Sequence, residues 1–83
     1  MKKRLLLTQL RKERKWSQKN VVEKIYLHSG LVISVSYYGM IEQGVRTPKL
    51  ELALAIASLI ERTPDEIFFE QETNNVLGNR TTA

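Results

Sequence analysis

The sequence predicts an all-α domain of five short helices, and three observations carry that prediction. Apolar residues recur at helical spacing between Leu6 and Ile60. Residues that open helices stand at regular intervals, at Ser17, Ser34, Thr47-Pro48 and Thr63-Pro64. At 83 residues the chain has room for one small core only. The domain is expected over residues 1–69, with a flexible polar tail over residues 70–83.

Leu6, Leu7, Leu10 and Arg14 lie at helical spacing among charged residues and predict a first helix over residues 4–15. Ser17 is placed to accept from free amides of the next turn, and Gln18, Val21, Val22 and Ile25 continue as a second amphipathic helix ending near Tyr26. The pattern then breaks. Leu27, His28, Ser29 and Gly30 read as a turn, and Leu31-Val32-Ile33 is extended in character. Ser34 is the expected N-cap of a third helix through Gln43, with Tyr38 and Ile41 facing inward and Gly44 closing it in the left-handed conformation.

Thr47 as N-cap with Pro48 at the first helical position starts a fourth helix, and residues 50–60 are rich in helix formers. Thr63-Pro64-Asp65-Glu66 reads as a capping box for a short fifth helix, whose Ile67, Phe68 and Phe69 are apolar. After Glu70 the chain lacks the apolar surface to offset the entropy of ordering.

Composition removes several function classes. With no cysteine and only His28 as imidazole, neither a disulfide nor a zinc site is expected, and no cofactor is called for. The start, Met1-Lys2-Lys3-Arg4 followed by three leucines, stops being apolar at Thr8, too soon for a signal peptide, and no stretch is long enough to cross a membrane. A cytoplasmic location follows as the expectation. No carboxylate pair, nucleophile with its base, or glycine-rich phosphate loop is present, so an enzyme is not expected, nor is a small-molecule ligand.

Charge is distributed unevenly. Residues 1–24 carry nine lysines and arginines against Glu13 and Glu23, whereas residues 25–83 carry four against seven acids. A basic front and a mildly acidic back suit a protein that presents one side to a polyanion; a solvated charged helix is the other reading of the same pattern.

Two segments stand out together, Leu10-Arg11-Lys12-Glu13-Arg14-Lys15-Trp16-Ser17-Gln18 and residues 33–48, from Ile33-Ser34-Val35-Ser36-Tyr37-Tyr38 through Glu42-Gln43-Gly44-Val45-Arg46-Thr47-Pro48. With the ending Thr63-Pro64-Asp65-Glu66-Ile67-Phe68, they resemble the Xre/Cro family of lambda-repressor-like helix-turn-helix domains over residues 6–68. In such a unit one helix lies in the major groove while the preceding helix crosses the backbone, with helix N-termini offering N–H donors to phosphates. The resemblance implies double-stranded DNA as partner and the third helix as the reading element. By the same resemblance Gln18 is a phosphate or base-edge ligand, Ser34, Val35, Ser36, Tyr37 and Met40 lie at the reading face, Gln43 stands where the family often has Asn, and Arg46 is a phosphate ligand. It also implies a salt bridge between Arg11 and Glu42.

On this reading Val35, Ser36, Tyr37, Gly39 and Met40 face outward. None of the four base-reading candidates, Val35, Ser36, Tyr37 and Met40, is an Arg, Asn or Gln able to make a bidentate base contact, each worth about 1–3 kcal/mol of discrimination. Readout through thymine methyls and DNA shape is expected instead; the alternative use of the face is protein docking. The connector from Tyr26 to Val32 is about six residues longer than a tight helix-turn-helix turn, and it either extends the second helix, protrudes as a loop or forms a strand-like segment. His28 on it is expected as a solvent-exposed loop residue rather than a backbone ligand. Lys2, Lys3 and Arg4 are read as an untethered terminus, with a groove-following arm as the alternative, and Trp16 as a core residue rather than a base-stacking one.

The fourth helix carries more leucine than one core needs. Ala53, Ile56, Ala57 and Ile60 are assigned inward, leaving Leu52, Leu54 and Leu59, of which Leu52 and Leu59, with Phe69, are expected at a two-fold homodimer interface. The alternative is that these leucines complete the core. The function that follows is a sequence-specific transcriptional regulator, a repressor binding operator DNA as a homodimer. An antitoxin-like protein-interaction module is the competing class.

Overall fold

In the computed structural model, which describes residues 4–69 apart from the Phe69 side chain, the elements are α1 (Leu5–Glu13), α2 (Gln18–Ser29), α3 (Val35–Gln43), α4 (Leu50–Leu59) and a π-helical turn, α5 (Asp65–Phe69). The all-α expectation stands, with no strand among the described residues. Lys2, Lys3 and the tail over residues 70–83 lie outside the described residues.

Side-chain capping explains where the helices begin. The Ser17 hydroxyl accepts from the Asn20 N–H at 3.0 Å while Asn20 Oδ1 accepts from the Ser17 N–H at 2.9 Å, a reciprocal box that satisfies two otherwise orphaned amides. Ser34 caps α3 by accepting from the Tyr37 N–H at 3.0 Å. Thr63 and Glu66 form the expected capping box at α5, the Thr63 N–H donating to Glu66 Oε1 at 2.9 Å. Gly44 closes α3 at φ +82°, in the left-handed region that glycine enters without a Cβ penalty.

Four sequence expectations need correction. α1 stops at Glu13 rather than Lys15, because the chain reverses through Lys15 at φ +61°. α2 does not end near Tyr26: Leu27, His28 and Ser29 form another turn of helix, closed by Gly30 at φ +80°, so the long connector lengthens α2 and leaves only residues 30–34 non-helical. α4 starts two residues late, with Lys49 as its N-cap and no side-chain cap bond, while the Thr47 hydroxyl accepts from Arg4 Nη2 at 3.3 Å. Leu52 is 7% exposed and belongs to the core, not to a free face, and Leu59 is half-buried against that core. The apolar residues that α4 leaves to solvent are Leu50 and Leu54, one turn apart.

The core is assembled from one stripe of each helix. Leu7 and Leu10 of α1, Val21 and Ile25 of α2, and Tyr38 and Ile41 of α3 meet Ala53 and Ile56 of α4, with Ile67 and Phe68 closing one end. α2 is central, packing on both α3 and α4, while α1 packs on α3. Trp16 is half-buried against this core, as expected, with the Lys24 ammonium 4.8 Å and the Arg14 guanidinium 5.8 Å from its ring centre. His28 is exposed, as expected, yet lies on a helix, where Nε2 is 3.2 Å from the Ser58 hydroxyl and joins α2 to α4. No helix among the described residues is long and apolar enough to cross a membrane.

Candidate nucleic-acid interface

The α2–α3 pair is held by one buried carboxylate. Glu42, in the last turn of α3, accepts from Arg11 Nε at 2.6 Å on Oε2 and from Arg11 Nη2 at 3.1 Å on Oε1. The same Oε1 accepts from the Thr8 hydroxyl at 3.1 Å and from Gln18 Nε2 at 3.0 Å. Three side chains from α1 and α2 thereby converge on a single residue of α3 that is 6% exposed. Burial alone pushes the Glu42 carboxyl up, but the hydrogen bonds from Arg11 and Gln18, with the Arg11 charge beside it, hold it below its ordinary value. The hydrogen bond to Glu42 correspondingly raises the Arg11 guanidinium. The expected Arg11–Glu42 salt bridge is present, and Arg11 Nη1 also donates to the Trp16 carbonyl at 2.9 Å, tying down the loop between α1 and α2.

Gln18 sits where α2 and α3 meet. Its carboxamide covers Gly39, where an added Cβ would come within 3.4 Å of Gln18 Oε1. Gly39 is therefore buried under Gln18, correcting the expectation that it faces outward. Tyr38, one turn before Glu42 on the same side of α3, is fully buried, and its hydroxyl finds no partner of good hydrogen-bond geometry. Burial first, and then the neighbouring Glu42 charge, pushes its phenol far up.

The reading-face candidates divide by exposure. Ser34, Val35 and Ser36 at the start of α3 are exposed, as are Gln43 at its end and Arg46 beyond it. Met40 is half-buried, and Tyr37 is half-buried against the core, so Tyr37 is not simply an outward residue. The accessible N-terminal part of α3 is thus small and weakly polar. Cationic side chains flank it on two sides in sequence: Lys15 and Lys19 about the start of α2, and Arg46 and Lys49 after α3, all exposed. Donors beside a reading face are what backbone positioning requires.

Two residues of this frame were not singled out in the sequence. Arg4, which in the sequence reads with Lys2 and Lys3 as an untethered terminus, is held to the end of α3 through its N–H and guanidinium. Thr8 gave no functional signal of its own; its place three residues before Arg11 on one helix face is the pattern that brings both to Glu42.

Beside the pair, the extra turn of α2 and the segment after it enclose an open groove of about 440 Å³, lined by Val22, Glu23, Tyr26, Leu27, Val32 and Ile33. Leu27 and Val32 are each 80% exposed.

A family model described as helix-turn-helix matches residues 7–67. No curated protein and no solved structure matches the chain. The match spans most of the chain and takes in the second and third helices, joined by the hydrogen bond from Gln18 to Glu42; the chain belongs to the Xre, lambda-repressor-like family of helix-turn-helix DNA-binding domains.

Proposed function

We propose that this protein is a sequence-specific transcriptional regulator, a repressor in the cytoplasm that binds operator DNA as a homodimer. The observation that carries the reading is the exposed N-terminal turn of α3, Ser34 to Ser36, presented on a helix whose far end is fixed by Glu42. Tyr37 and Met40, half-buried beside it, contribute apolar edges rather than a hydrogen-bond code. Arg46 and Gln43 supply phosphate or base-edge contacts at the other end, and Gln18 contributes where α2 meets the backbone. Occupancy of the operator then blocks polymerase. Dimerisation is supported by α4, whose Leu50 is 70% and Leu54 48% exposed, with half-buried Leu59 at the same helix's end.

Selection from random duplex DNA at two salt concentrations tests this reading. A two-fold symmetric enriched site, bound more weakly as salt rises, is the expected result, since phosphate neutralisation releases counterions. Steep salt dependence without an enriched sequence would reduce the activity to backbone binding.

A second reading, an antitoxin-like module whose main partner is a protein, draws on the apolar groove of Tyr26, Leu27 and Val32. It predicts that Leu27→Ser leaves DNA binding unchanged and abolishes neutralisation of a toxin encoded beside the gene.

A further inference from the structure

The last four carbonyls of a helix have no partner within it. In α3 these belong to residues 40–43, and the chain beyond Gly44 satisfies part of the set: the Gly44 N–H donates to the Ile41 carbonyl at 3.1 Å, and the Val45 and Arg46 N–H groups donate to the Met40 carbonyl at 2.9 and 3.3 Å. A further part comes from the other end of the chain. The Arg4 N–H donates to the Glu42 carbonyl at 2.8 Å, and Arg4 Nη1 donates to the Ile41 carbonyl at 2.7 Å. The same Nη1 donates to the Arg46 carbonyl at 3.0 Å, and Nη2 reaches the Thr47 hydroxyl at 3.3 Å. The guanidinium also lies 5.2 Å from the centre of the Phe68 ring, so α5 backs it.

We propose that Arg4 is a positioning residue for DNA recognition, fixing the segment that carries Arg46 to the C-terminal end of the reading helix. The inference rests on the reading of α3 and Arg46 as DNA contacts. Both backbone groups of Arg46 are committed, its N–H to Met40 and its carbonyl to Arg4, while its side chain is exposed. A phosphate ligand held in this way sets the register of α3 on the duplex, and register is what converts backbone contacts into sequence discrimination. The chemistry needs arginine. A planar fork with several donors in fixed geometry reaches two carbonyls and a hydroxyl at once, whereas an ammonium keeps the charge near the helix C-terminus without that geometry. Removing the fork frees the Arg46 segment, so backbone binding persists while discrimination falls.

The test uses the full chain with Arg4→Lys, which preserves net charge, and Thr47→Val, which removes one exposed acceptor. Affinity is measured for a duplex enriched by selection and for a scrambled duplex of equal length, alongside amide hydrogen exchange. Arg4→Lys is expected to lower the specific-to-scrambled affinity ratio by about tenfold, the loss of one or two charge-assisted hydrogen bonds, with scrambled binding nearly unchanged. Exchange at the Val45 and Arg46 amides should accelerate by about tenfold while that of Ile25 and Ile56 does not, the signature of local rather than global opening. Thr47→Val should shift the ratio in the same direction by less, and it decides the matter should Arg4→Lys fail to fold. An unchanged ratio in the folded variants would overturn the role of Arg4. Wild-type protein that binds both duplexes equally would overturn the DNA reading itself, and this role with it.

Discussion

Gln18 Nε2 donates to Glu42 Oε1 at 3.0 Å, joining the first residue of α2 to the last turn of α3. The relative placement of the two helices of the helix-turn-helix is thus set by this polar contact together with the packing of Val21 and Ile25 with Tyr38 and Ile41, not by the length of the chain between them. This is why the lengthened connector is tolerated: the added residues extend α2 at its far end, while the junction at Gln18, Gly39 and Glu42 stays closed.

Arg11→Ala is expected to destabilise the domain by about 3–5 kcal/mol, because it leaves the Glu42 carboxylate buried without its counter-charge. Small domains hold only about 5–15 kcal/mol in total, so the variant is expected to be largely unfolded near physiological temperature. Chemical denaturation checks this, and a wild-type midpoint would remove Glu42 from its place at the centre of the frame.

Glu42 also gives a pH dependence of definite sign. Its carboxyl ionises more readily in the folded chain than at the ordinary value of 4.5, so its contribution is complete above that value and is lost as pH falls through the lower, folded one. Stability should therefore decline below about pH 4.5. Glu66, lowered by the Thr63 N–H, acts in the same direction from an exposed position. Urea midpoints across the acid range, compared with those of Glu66→Gln, show whether a decline remains once Glu66 is removed; none remaining would exclude Glu42 as its source.

Tyr38→Phe should be neutral or stabilising, by up to about 1 kcal/mol, since the hydroxyl it deletes is buried without a hydrogen bond. A loss of more than about 1 kcal/mol on thermal denaturation would mean that the hydroxyl has a bonding partner in solution.

Gly30, which closes α2, and Gly39, in the middle of α3, should respond oppositely. Gly30 lies at φ +80° in open space, so Gly30→Ala costs about 1 kcal/mol through backbone strain alone. Gly39 has helical geometry and its added Cβ would meet Gln18 at ordinary contact distance, so Gly39→Ala gains about 0.5–1 kcal/mol. Equal signs in the two variants would contradict this account.

Much of this arrangement was legible in the sequence wherever short-range physics decides it. Ser17, Ser34, Gly44 and Thr63 act through partners within a few residues, and each does in the structure what its type and position suggest. The failures share the opposite property. Thr47 has the type and position of an N-cap, yet α4 starts at Leu50 and the Thr47 hydroxyl accepts from Arg4, a partner 43 residues away. Leu52 looked spare because helical periodicity cannot say how wide a stripe the core will cover, and α4 is buried over most of its circumference. The connector admits three forms in the sequence because Leu27, His28 and Ser29 carry no apolar periodicity; the structure adopts the extension of α2, whose helix continues on hydrogen bonds and the Gly30 cap. The Arg11–Glu42 pair was reached through family resemblance, whereas the parts played by Arg4 and Thr8 depend on three-dimensional convergence that no local pattern encodes.

The most direct test of a DNA-reading α3 is amide chemical-shift mapping of the labelled protein titrated with its selected duplex. The account predicts perturbations centred on Ser34, Val35 and Ser36, on Gln43 and Arg46, and on the first turn of α2. Perturbations confined to the groove of Tyr26 and Leu27, or none at saturating duplex, would contradict it.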